Sequence, residues 1–154
     1  MDDGPAWLTP GEEQVWRALL QLTTRLPARL NRQLQADAGL TLADVDVLVG
    51  LTDTPDGRAR TTALSDALGW ERSRLSHQVA RMVRAGLVRR EPCEEDGRGS
   101  YVAVTPAGRD ALAAAAPDHL ALARHLVVDA LSADQLDDLG VVLETVLGRI
   151  ADTV

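Results

Sequence analysis

The sequence is short of several things, and what is missing narrows its class. It contains no lysine, so all sixteen basic residues are arginine. A GC-rich coding bias explains that as well as any chemistry, and no mechanism follows from it. A single cysteine, Cys93, allows no intramolecular disulfide and cannot by itself build a tetrahedral zinc site, which fits a reducing compartment. No apolar run approaches the ~20 residues that a membrane helix needs. The start "MDDGPAWLTPGEE" lacks the basic opening, apolar stretch and small-residue cleavage site of a secretory signal. A cytoplasmic protein with no membrane partner is expected. There is no phosphate-cradling glycine loop, paired metal motif or nucleophile elbow, so neither an enzyme nor a cofactor is expected. His77, His119 and His125 are too scattered for a metal site, since a separation of six does not bring the last two onto one helix face.

What is present is a soluble composition with unevenly sorted charge. At 154 residues the chain suits one domain, and 45% hydrophobic against 25% charged residues is the balance of a globular protein. The net charge is -7, yet the sum conceals the sorting. Residues 1–57 carry four arginines against nine acidic residues, residues 58–109 carry ten against six, and residues 110–154 carry two against eight. A cationic island between acidic arms is the footprint of a face that meets a polyanion while the remainder stays soluble. The island centres on "ERSRLSHQVARMVRAG", Glu71 to Gly86, with four arginines.

Periodicity places that segment on a helix. Leu75, Val79, Met82 and Val83 form one stripe, while Ser73, Arg74, His77, Arg81 and Arg84 fall on the opposite side. Trp70 precedes it as a staple against Leu75, and Glu71 sits in the cap region. Upstream, Val15, Leu19, Leu22, Leu26, Leu30 and Leu34 predict a long helix over about 9–38, bent or interrupted near Thr23 to Leu26 by Pro27. Gly39 ends it, Thr41 caps a mostly buried second helix, and "TDTPDGRAR" reads as a surface loop. "TTALSDALGW" predicts a short helix capped by Thr61 or Thr62 and closed by Gly69. After Gly86, two β-prone runs around a tip at Glu94 to Gly99 predict a hairpin. Thr105 and Pro106 start another helix that Pro117 kinks or splits. Ser132 and Gln135 box the last helix, striped by Leu136, Leu139, Leu143, Val146 and Ile150.

A short helix, a tight turn, an arginine-rich helix and a hairpin follow the order of a winged helix-turn-helix. The fold class expected is therefore mainly α with a small β-hairpin wing, flanked by N- and C-terminal helices. Such a helix fits the major groove of duplex DNA, and Arg98, at the hairpin tip, suits a narrow minor groove. Positions near the helix N-terminus face base edges, which selects Ser73, Arg74 and His77; Arg72, Ser76 and Arg81 fall to phosphates.

The residues "GLV" (Gly86 to Val88), "DGR" (Asp96 to Arg98) and "VAVTPAG" (Val102 to Gly108) resemble the MarR family of bacterial transcription regulators over nearly the whole chain. The resemblance implies that Arg98 enters the minor groove and that Asp96 supports the wing. Gly97 stands where the family has a further arginine, so one backbone contact is lost there. It also implies a homodimer in which the N-terminal helix and the last two helices interlock, over about 9–38 and 105–151, around a reading core of about 41–109. The apolar stripes outside that core independently ask for a partner. A repressor released from a pseudo-palindromic operator by a small-molecule effector is the function implied, with Trp16 a candidate wall of the effector cavity. Two alternatives stay open. One is a winged-helix module that binds protein and no operator. The other is a redox-responsive regulator acting through Cys93, against which Glu91, Glu94, Glu95 and Asp96 oppose thiolate formation.

Overall fold

The computed structural model describes residues 7–92 and 100–152. The chain divides into two compact units, Met1–Ala115 and Ala116–Val154.

The first unit opens with α1 (Pro10–Ala38), started by a reciprocal box in which Thr9 Oγ1 accepts from the Glu12 N–H while the Glu12 carboxylate accepts from the Thr9 N–H. Gly39, at φ 65, ends it in the left-handed region that favours glycine. Of the bend or interruption expected near Thr23 to Leu26, the interruption does not occur: the helix continues through Pro27. One lost donor costs less than ending a helix and nucleating another, and the Thr23 and Thr24 hydroxyls both fold back onto the Leu20 carbonyl. Helix α2 (Leu42–Thr52) follows behind a second box formed by Thr41 and Asp44.

The loop reading of "TDTPDGRAR" needs correction at its end. Arg58–Arg60 form strand β1, which pairs antiparallel with β3 (Ser100–Val104), itself paired with β2 (Val88–Pro92) in the order β1-β3-β2. Three residues carry no alternation that a sequence can display, and the partner lies far along the chain. Because β1 runs straight into α3 (Thr61–Leu68), the extended residue before that helix is Arg60, with no side-chain cap. Thr61, expected as a cap, instead donates its hydroxyl to the Ser100 carbonyl at 2.9 Å and ties the helix start to β3.

Gly69, at φ 62, turns the chain into α4 (Arg72–Arg84). The main core gathers Val47, Leu48 and Leu51 from α2, Leu64 from α3, Leu75, Val79 and Met82 from α4, and Val88, Val102 and Val104 from the sheet. Val83, predicted to share the α4 stripe, is exposed, because it lies at the stripe's edge. A smaller cluster of Leu34, Leu40, Val45 and Ala115 seats the end of α1 against α2. Thr105 ties the connection after α4 to the start of α5 (Pro106–Ala123): its hydroxyl reaches the Gly86 and Leu87 carbonyls at 2.6 and 3.0 Å and accepts from the Gly108 N–H. Pro117 does not split α5, which ends in a π-helical turn at Arg124–Val128.

In the second unit α6 (Ala133–Ala151) begins at the Ser132 and Gln135 box and buries none of its residues. Val141, Val142, Leu143, Val146, Leu147 and Ile150 are exposed. In the first unit the N-terminal half of α1 does the same with Val15, Trp16, Leu19 and Leu22, and Leu8 just before it is exposed as well.

Candidate nucleic-acid interface

Helix α4 is amphipathic because Leu75, Val79 and Met82 recur at helical spacing and are fully buried. That stripe turns Arg72, Ser73, Arg74, Ser76, His77, Arg81 and Arg84 to solvent, and all seven are exposed. At the helix start the Arg74 guanidinium lies 4.1 Å from the centroid of the Trp70 ring. Trp70 also packs on the main core, so one residue is both staple and platform. A guanidinium held over a ring face by cation–π attraction keeps its N–H groups available for other partners.

The seven exposed residues do not have equal surroundings. Arg90 of β2, two along from buried Val88 and therefore on the helix side of the sheet, reaches the Ser76 carbonyl and hydroxyl at 3.4 Å each. Arg81 turns back toward α2, with Nη2 at 2.8 Å from both Asp44 Oδ1 and Thr41 Oγ1. Ser73, Arg74, His77 and Arg84 thus share the face opposite the buried stripe and Arg72 is exposed at the helix start, while Arg81 is bonded back to α2.

The outer face of the sheet carries a second cationic group. Arg58 and Arg60 lie 5.0 and 5.6 Å from the Tyr101 ring centroid, and Arg58 also pairs with Glu91 at 3.3 Å. Hydrogen bonding from Arg89 holds the Glu91 carboxyl below the usual carboxylate range. Arg98, Asp96, Gly97 and Cys93 lie outside the described residues; the last described wing pair is Pro92 with Ser100.

Sequence reasoning missed Arg90, the Trp70–Arg74 stack and the Arg58, Arg60 and Tyr101 group. Strand alternation from Val88 was the available signal for Arg90. The others depend on tertiary neighbours. Trp16, read as a candidate cavity wall, lines a shallow apolar recess on α1 with Leu8, Val15 and Leu19. Among the described residues no group of three or more His, Cys, Asp or Glu side chains could hold a metal ion, and no helix is long and apolar enough to cross a membrane.

Two helices joined by a tight glycine turn, the second exposing arginines beside a three-stranded antiparallel sheet, make this a winged helix-turn-helix protein. The chain belongs to the MarR family of transcriptional regulators. A profile of the MarR family matches residues 38–99. Sco3205, a MarR family transcriptional regulator from Streptomyces coelicolor crystallised in complex with DNA, is 40% identical, with 95% of this chain and 91% of that one covered and a TM-score of 0.89. AbsC, a MarR family transcriptional regulator from the same organism, is 36% identical over 96% and 99% of the two chains, also with a TM-score of 0.89. A mutant of MarR from E. coli, complexed with operator DNA, shares the fold at 23% identity, with 92% and 99% covered and a TM-score of 0.78. No curated protein matches the chain.

Proposed function

We propose that this chain is a cytoplasmic, homodimeric, sequence-specific DNA-binding regulator, acting as a repressor that a small-molecule effector releases from a pseudo-palindromic operator. The observation that carries the reading is the exposed face of α4, where Ser73, Arg74 and His77 stand opposite a fully buried stripe, with Arg72 exposed at the helix start. Sco3205, crystallised in complex with DNA, supports it at 40% identity. In this reading Ser73, Arg74 and His77 meet base edges, Arg72 and Ser76 meet phosphates, Arg98 enters the minor groove and Asp96 supports the wing. The exposed apolar faces of α1 and α6 suit pairing with a second copy. A two-fold dimer sets its two reading helices about one helical turn, ~34 Å, apart. An effector that binds the wrongly spaced dimer more tightly empties the operator by differential affinity alone.

The test is selection of duplexes from random DNA by the purified protein, followed by affinity measurements over a range of salt. The expected result is a palindromic consensus bound with a steep negative salt dependence. Absence of binding at low salt would instead favour a protein-interaction module.

A further inference from the structure

Asp44 is 3% exposed, and both of its carboxylate oxygens are engaged. Oδ2 accepts from the Thr41 N–H at 2.7 Å and the Thr41 hydroxyl at 2.6 Å. Oδ1 accepts from Gln78 Nε2 and Arg81 Nη2, both at 2.8 Å and both on α4. Close by, the Leu42 N–H donates to Asn31 Oδ1 of α1 at 2.8 Å. A chain of directional polar contacts therefore runs from the C-terminal half of α1, through the first turn of α2, to the middle of α4. Apolar packing tolerates sliding and rotation more readily than such contacts do, because hydrogen bonds to an ionised group weaken steeply with misalignment. A buried carboxylate that loses its cation is also left uncompensated, which penalises any movement of α4 that parts Arg81 from Asp44.

We infer that Asp44, with Gln78 and Arg81, is a positioning device that fixes the attitude of α4 relative to α1, and through it the half-site spacing that the dimer accepts. This rests on the DNA-binding reading above and replaces the phosphate role expected for Arg81, which acts through Asp44. In a two-fold dimer joined through α1, any error in the attitude of one reading helix is repeated in the other. One base pair added at the operator centre moves the half-sites apart by ~3.4 Å and rotates them by ~35°, so only a loosened dimer follows.

The probes are a palindromic duplex recovered from random DNA by the wild-type protein, and the same duplex with one base pair inserted or removed at its centre. The wild-type protein should lose about tenfold or more in affinity across that change, whereas Asp44→Asn and Arg81→Ala should each lose less than about threefold. The double variant should match the single ones, since both remove the same lock. Arg81→Ala should leave the salt slope unchanged, because no phosphate contact disappears. A slope shallower by about 1.8 per dimer with spacing discrimination intact, or tighter binding by Asp44→Asn as the arginine is released, would overturn the inference. Should Asp44→Asn fail to fold, Arg81→Ala carries the test alone, its side chain being 45% exposed. A wild-type protein that selects no duplex removes the functional reading and this inference together. Unaltered spacing discrimination in both variants removes only the lock.

Discussion

Arg74 and Arg81 occupy one helix, carry one charge and are both exposed, yet their surroundings separate them. Arg74 lies over the Trp70 ring, 4.1 Å from its centroid. Arg74→Ala should therefore weaken binding to a selected duplex by ~1–3 kcal/mol and relax preference at one base position, read by anisotropy against single-base variants of that duplex. Trp70→Leu keeps an apolar staple and removes the platform, so it should lose part of the same preference and less than Arg74→Ala does. Residues set by local rules were legible in the sequence. Gly39 ends α1, and Thr41 and Ser132 cap their helices, because each acts within three or four positions. The contact of Arg81 with Asp44 was not legible, because the partner is 37 positions away and nothing local distinguishes an arginine facing water from one folded onto a buried acid. Gly57 is a further case at this scale. Its φ is +64, and a methyl there would meet the Arg109 guanidinium and Val104, so Gly57→Ala should cost ~1–2 kcal/mol in urea unfolding.

Among the elements, the reading helix, the wing strands and the capped helix starts follow from periodicity and cap chemistry. The exceptions have a common cause. Pro27 and Pro117 sit inside helices that continue because restarting a helix is costly, and β1 exists because β3 presents an open edge beside it. The caps make predictions of their own. Ser132→Ala should remove about 1 kcal/mol from α6, detectable as earlier thermal fraying. At the start of α1 the Thr9 hydroxyl, and then its backbone N–H, hold the Glu12 carboxyl below its ordinary value of 4.5. A depressed folded value means that this cap is complete above the ordinary carboxylate range and is lost as pH falls through the folded value. The protection of the Thr9 amide, relative to its intrinsic exchange at each pH, should therefore fall on acidification below 4.5, and Glu12→Gln should abolish that pH dependence.

At the scale of the whole molecule, α1 in the first unit and α6 in the second each carry exposed apolar residues. Light scattering should give about twice the chain mass of 16.5 kDa. Leu143→Asp, which places a charge on the exposed α6 stripe, should shift the protein toward monomer and reduce operator affinity without touching α4. Assembly of this kind is legible in a sequence only as apolar residues with nothing to cover them, which is why the stripes were readable and their pairing was not.

The uninterrupted course of α1 has a mechanical consequence. Twenty-nine residues form one continuous helical rod about 43 Å long, with exposed tryptophan toward one end and the Asn31 anchor toward the other. Such a rod is a lever: a tilt of ~5° at its apolar end sweeps the opposite end through ~4 Å, close to the rise of one base-pair step. A helix that ended at Pro27 would divide that tilt between two pieces, whereas this one continues past Pro27 to the Asn31 contact with α2.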